Sequence, residues 1–172
     1  VSRRRATTRV LAARDLPPRP HAQALLLAMS EAVTESGSYF GIIHGAEQVV
    51  ARIDALPDSL ADIKISAHQT MMSRYEYLDV AEGLRTHGLA VLALAREQAN
   101  RADINTPSAI KTRLGLMTGA YRSLARAAAD MLHPDSALMI LDKAEAELGP
   151  EAKASFADFR HRYALIGAKA EI

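Results

Sequence analysis

The residues best suited to chemistry are small and basic ones in the stretch 107–132. If that stretch is a helix, five of them share one face within an arc of about 80°: Lys111, Gly115, Gly119, Arg122 and Arg126. Two arginines four residues apart can hold one carboxylate or phosphate through paired hydrogen bonds. The alternative is an ordinary solvated basic face whose charges pair with neighbouring acids.

Histidine–carboxylate pairs raise the question of a metal site. His44-x-x-Glu47 and Asp158-x-x-His161 each place two metal-binding side chains on one helix face. Neither has the Glu-x-x-His order of di-iron bundles, and no zinc-protease motif is present. The sequence therefore predicts no metal site and no cofactor.

Catalytic motifs are not recognisable. Gly115-x-x-x-Gly119 lacks the strand and the lysine of a phosphate-binding loop, and no Gly-x-Ser-x-Gly elbow occurs. The chain has no cysteine, which excludes thiol catalysis and cysteine-ligated zinc. We predict no catalytic residues; a small all-α enzyme whose site assembles from distant helices is the third functional hypothesis.

Methionine and tyrosine cluster in the stretch 71–77, at Met71, Met72, Tyr75 and Tyr77. Such side chains can form an adaptable hydrophobic ligand pocket. At helical spacing they are more often core residues, and we favour that interpretation.

Residues 1–19 form a basic arm or linker that ends at the prolines near residue 18. The arm carries one acid, Asp15, and six arginines: Arg3, Arg4, Arg5, Arg9, Arg14 and Arg19. It is a candidate nucleic-acid-binding arm, with Arg3, Arg4, Arg5 and Arg9 as its contacts. No aromatic residue lies among the arginines, which favours a solvated tail or linker. Val1 fits either an alternative start or the cut end of a longer chain.

Composition predicts an all-α domain over residues 20–172. The chain has 172 residues, of which 49% are hydrophobic and 5% aromatic. Alanine and leucine favour helices, and β-branched residues never alternate over a strand length. Neither a signal peptide nor a membrane span is recognisable, and the net charge is +1. We expect a cytoplasmic protein without membrane contact.

Apolar spacing predicts helices over about 22–33, 40–53 and 59–83. A fourth contains Gly88, Leu92 and Ala95 and ends near Asn100. A last helix from Glu151 carries Phe156, Phe159, Tyr163 and Ile166, large residues suited to covering an open end.

The clearest element is a helical hairpin from Pro107 to Pro150. Thr106 is the expected N-cap, and the first helix should end at His133-Pro134 because a residue before proline avoids the helical region. The second should end at Gly149-Pro150. The predicted apolar stripe of the first helix is Ile110, Leu114, Met117, Tyr121, Leu124, Ala128 and Leu132; the second carries Ala137, Leu141, Ala144 and Leu148.

The stretch 118–150 resembles one tetratricopeptide repeat. The resemblance lies in Tyr121-x-x-Leu124-Ala125-x-x-Ala128, Ala137-x-x-x-Leu141-x-x-Ala144 and Gly149-Pro150. Alanine replaces the family's glycine and second aromatic residue. The resemblance implies antiparallel hairpins stacked as a short solenoid with a C-terminal capping helix; an irregular helical bundle is the alternative.

The resemblance also implies a binding groove. The face from Lys111 to Arg126 would line its concave side, and the preceding repeat would add Tyr77 and Arg74. The leading functional hypothesis is a non-enzymatic regulatory or scaffolding module that binds a peptide or a small anionic ligand. The alternative is the sensing domain of a bacterial-type transcriptional regulator, with DNA reached only through the arm. The sequence leaves the oligomeric state open.

Overall fold

The computed structural model describes residues 16–34, 39–100 and 106–170 of the chain. The α-helices of these residues are α1 (Pro18–Thr34), α2 (Tyr39–Asp54), α3 (Ala61–Tyr77), α4 (Ala81–Ala99), α5 (Pro107–Asp130), α6 (Pro134–Leu148) and α7 (Pro150–Ala170). A 3₁₀ turn, Asp58–Leu60, precedes α3, and the described part of the chain contains no strand. The all-α prediction is confirmed. None of the described helices is long and apolar enough to cross a membrane.

The chain divides into two compact units, residues 1–71 and 72–172. In the first, α1 packs against α2. In the second, α4 packs on α5, α5 on α6 and α6 on α7, and α5 also contacts α7. The proposed extent of the helical domain, 20–172, stays a prediction.

Ion pairs connect separate elements of the unit 1–71. Arg19 holds both carboxylate oxygens of Asp62, at 3.0 and 3.2 Å. The buried Lys64 pairs with Asp58 at 2.9 Å. Helix α1 begins at Pro18, so Arg19 lies within a helix and not in the predicted arm. Arg3, Arg4, Arg5, Arg9 and Arg14 lie outside the described residues.

The predicted hairpin is confirmed as α5 and α6. The Thr106 hydroxyl accepts a hydrogen bond from the Ala109 N–H at 3.2 Å and caps α5, with Pro107 at the first position. A short turn before Pro134 makes α5 and α6 neighbours that run in opposite directions. Gly149 has φ 84° and ψ −179°, a conformation open to glycine and strongly disfavoured for other residues.

The helix prediction was wrong about the end of the third helix and about part of the apolar stripe of α5, on which Ile110 and Leu114 are 37% and 36% exposed. The predicted third helix, 59–83, ends at Tyr77, and a turn with Asp79 at φ 52° precedes α4. No proline or glycine marks this turn, so a prediction from apolar periodicity alone continues the helix across it. Leu132 has φ 64° and is 83% exposed, because it lies in the α5–α6 turn and not on the apolar stripe.

The core of the unit 72–172 lies where α4 to α7 meet. Its fully buried large side chains include Leu84, Val91, Tyr121, Leu141 and Phe156. Ala137 and Ala144 have no exposed surface, as expected at a close helix contact. On α7, Tyr163 is buried with Phe156, whereas Ile166 is 39% exposed.

Enlarging Ala137 should destabilise this unit. Ala137 is completely buried on α6, so Ala137→Leu must displace packed atoms and is expected to cost about 1–3 kcal/mol. Urea unfolding monitored by circular dichroism measures the loss. Ser136→Leu, at the neighbouring exposed position, is the matched control and should change stability by less than about 0.5 kcal/mol. A neutral result at Ala137 would contradict the packing of α6.

Candidate functional site: a pocket between α4, α5 and α6

The predicted groove arginines both bind side chains of this chain. Arg126 contacts Glu76 at 2.8 Å, Asp79 at 2.5 Å and Asp130 at 3.4 Å. Arg122 lies over the ring of Phe159 on α7, 4.5 Å from its centroid. These contacts attach the α3–α4 turn and α7 to helix α5, so each arginine has a structural role.

The other predicted groove residues lie at or near the surface. Lys111, Gly115 and Gly119 are exposed, and no described atom outside the helix approaches within 4 Å of where a Cβ on either glycine would be. Tyr77 is 76% exposed, and Arg74 is half-buried. The groove stays a prediction.

The sequence also offered two other candidate sites, a metal site and a methionine–tyrosine cluster. Residues 16–34, 39–100 and 106–170 contain no group of three or more histidines and carboxylates arranged to hold a metal ion. Met71 and Met72 are buried, and Tyr75 stacks on the buried His87 with ring centroids 5.4 Å apart. Tyr77, by contrast, is 76% exposed.

A pocket of about 530 Å³ lies between α4, α5 and α6. Its volume is within the range of small-molecule sites. Three of its side chains are buried and apolar over most of their surface: Leu92, Tyr121 and Leu124. Ala128 and Ile140 are half-buried, and Leu89 and Met131 are exposed. The pocket therefore has an apolar floor, and part of its rim is apolar.

A glycine on α4 lies beside the floor of the pocket. A Cβ at Gly88 would lie 3.1 Å from the side chain of Leu124 and 3.5 Å from the Ala120 carbonyl oxygen. The absence of a side chain lets α4 approach α5 closely there. Leu124 consequently sits against α4 and forms part of the floor.

Arg96, Tyr121 and Glu147 lie together at one end of the pocket, one residue from each helix. Glu147 accepts hydrogen bonds from Arg96 Nε and Nη2, both at 2.7 Å, and from the Tyr121 hydroxyl. The Tyr121 oxygen accepts a further bond from Arg96 Nη2 at 2.8 Å. We call these residues the Arg96 cluster.

The Arg96 cluster shifts the pKa values of its own members. The hydrogen bonds from Arg96, and then from Tyr121, lower the pKa of Glu147 to about 2. Burial, followed by the bond to Glu147, raises the pKa of Tyr121 to about 12. At neutral pH the cluster is a carboxylate, a guanidinium and a neutral phenol, and the two charges compensate each other.

The directions of the helices determine which residues lie at each end of the pocket. Helix α4 lines the pocket from Arg96 back to Arg85, about 16 Å of helix. It runs opposite to α5, since Asp79, just before α4, contacts Arg126, whereas Gly88 lies against Ala120. Arg85 precedes Gly88 and therefore lies towards the end of the pocket that Met131, His133 and Ser136 line, away from Glu147.

The pocket lining is basic. Among the described residues it contains Arg85, Arg96, His133 and Lys143 and no carboxylate. Glu147 compensates Arg96 and lies one helical turn from Lys143, which also helps to lower the pKa of Glu147. Arg85 is 57% exposed, and its ion pair with Glu82 is long, at 4.0 Å. Of the two arginines of the pocket, Arg85 is thus the less compensated.

The sequence analysis did not assign these residues to a pocket. The available signal was the spacing Arg85, Leu89, Leu92, Arg96 on one helix and Ser136, Ile140, Lys143 on another. Each set repeats at three and four residues and combines apolar with polar side chains. The two sets line one pocket only because of how the helices are aligned with each other. A single sequence does not show that alignment.

Comparison with known proteins adds no relative: no protein-family model, no curated protein and no solved structure matches this chain.

Proposed function

We propose that this chain is a non-enzymatic binding module that holds a small ligand with an apolar body in the α4–α5–α6 pocket. The observation that carries the proposal is the pocket itself, about 530 Å³ with a floor of Leu92, Tyr121 and Leu124. Apolar concave sites with a few polar groups are the usual form of small-molecule sites. A regulatory or scaffolding role follows if ligand binding alters how the module meets its partner.

We infer further that α4 to α7 are arranged as a short tetratricopeptide-like stack. Support comes from the order of packing, in which each helix contacts the next and α5 also contacts α7. The repeat-like residues of α6, Ala137, Leu141 and Ala144, are all completely buried. In such a stack each helical pair covers the apolar face of its neighbour.

A neutral fluorescent probe tests the proposed pocket. N-phenyl-1-naphthylamine brightens in apolar surroundings, and we expect the intact chain to bind it with one saturable site. Ala128 lines the pocket, so Ala128→Phe should fill the space. We expect about tenfold weaker probe binding, a loss of about 1.4 kcal/mol, because the ring occupies space that the probe would use.

The matched control is Thr112→Phe, at an exposed position of the same helix. Sixteen residues separate the two positions, which places them about 160° apart around α5. Thr112→Phe should leave probe affinity unchanged. Absence of saturable binding, or an equal loss in both variants with both still folded, would refute the proposed pocket.

A further inference from the structure

We propose that the ligand of the α4–α5–α6 pocket is an anionic amphiphile whose carboxylate or phosphate lies at Arg85 and whose apolar chain extends towards Tyr121. This inference rests on the binding function proposed above and adds the class of ligand and its direction.

The charges at the two ends of the pocket determine that direction. At the Arg96 end, Glu147 already occupies two nitrogen atoms of the guanidinium, each at 2.7 Å. A second anion there would meet the Glu147 carboxylate. It would also have to displace the pair of hydrogen bonds, which suit a carboxylate closely.

Arg85, unlike Arg96, has a guanidinium that an anion can reach without displacing a hydrogen-bonded carboxylate. Its guanidinium is 57% exposed and pairs with Glu82 at 4.0 Å, beyond hydrogen-bond distance. Ser136 and His133 line the same end and bring a hydroxyl and an imidazole. Within the described lining no carboxylate opposes an incoming anion. One charged donor and two polar groups at the mouth suit a carboxylate or a phosphate.

The space beyond Arg85 suits an unbranched apolar chain. Leu89 and Ile140 follow Arg85 and Ser136 by four residues each, and Leu92 and Leu124 lie farther in. Tyr121 ends the run, with its hydroxyl committed to Glu147 and Arg96. An apolar chain would therefore cover apolar side chains without leaving a polar group unpaired.

Displacement of N-phenyl-1-naphthylamine from the intact chain tests the inference. The competitors are dodecanoate, dodecyl phosphate, dodecanol and dodecylammonium, each below the concentration at which it forms micelles. The two anions should displace the probe at concentrations about tenfold lower than dodecanol, because a charge-assisted hydrogen bond contributes that much. Dodecylammonium should be the weakest. Comparison of the two anions identifies the preferred head group.

Arg85→Ala should remove the advantage of the anions and leave dodecanol unchanged. Arg85→Lys should restore part of it, since the charge is kept. Lys153→Ala is the matched control, because Lys153 is an exposed cation of α7 that does not line the pocket, and it should change the anion affinities less than about threefold. Thermal melting of each variant confirms that it is folded.

The outcomes separate this inference from the binding function. Equal displacement by dodecanol and dodecanoate, or an equal loss of anion affinity in Lys153→Ala and Arg85→Ala, would overturn the assignment of the anion to Arg85 while the pocket stands. Failure of the probe to bind the wild-type chain would overturn both.

Discussion

Phe156→Ala should destabilise the unit 72–172 by about 3–5 kcal/mol, the usual cost of removing a fully buried aromatic side chain. Phe156 has no exposed surface and is one of the largest completely buried side chains. Helix α7, which carries it, packs against α6 and contacts α5. The deleted ring leaves a cavity that the neighbouring helices fill only in part. Urea unfolding followed by circular dichroism measures the change.

Leu165→Ala is the matched control for that experiment. Leu165 lies on the same helix and is 49% exposed, so its truncation should cost less than about 1 kcal/mol. If Phe156→Ala costs no more than Leu165→Ala, α7 does not cover the core as described.

Glu147→Ala should be the second most costly change, at about 2–3 kcal/mol at neutral pH. The substitution removes the acceptor of two Arg96 hydrogen bonds and of the Tyr121 hydroxyl. The Glu147 side chain is 29% exposed, so solvent moderates the loss below that of a fully buried pair. The control is Asp158→Ala, which removes an exposed carboxylate near the middle of α7. It should change stability by less than about 0.5 kcal/mol.

The cost of Glu147→Ala should depend on pH in one direction. In the folded chain the pKa of Glu147 falls from its ordinary 4.5 to about 2. A depressed carboxyl pKa stabilises the fold fully above the unfolded pKa, and that contribution is lost as pH falls through the folded pKa. The difference in unfolding free energy between wild type and variant should therefore shrink between pH 4.5 and about 2. A constant difference across that range would contradict the ion pair.

The hairpin α5–α6 could be predicted from sequence because its signals are local. Thr106 and Pro107 start the first helix, His133-Pro134 ends it, and Gly149 ends the second. The α3–α4 turn could not be predicted, because Asp79 adopts a left-handed conformation without a glycine or proline to mark it. Contacts from a distant helix, such as Arg126 with Asp79, help to hold that turn.

The candidate site was less predictable than the fold. Periodicity predicts the basic face of α5, but it does not show which side chains of other elements contact that face. Arg122 meets Phe159, and Arg126 meets Glu76 and Asp79. The pocket depends on the register of three helices, and Arg96 with its partner Glu147 lies 51 residues apart in the chain. Such long-range pairing leaves no trace in local composition.

The Arg96 cluster has a consequence for how the molecule opens. Its three residues lie on three helices and are 25, 26 and 51 residues apart in the sequence. Local unfolding normally releases the segments with the fewest tertiary contacts first. Detaching the C-terminal end of α4 or α6, or the middle of α5, breaks the same cluster each time. The three helices are thereby coupled into one cooperative unit, whose backbone amides should exchange with solvent together and not helix by helix.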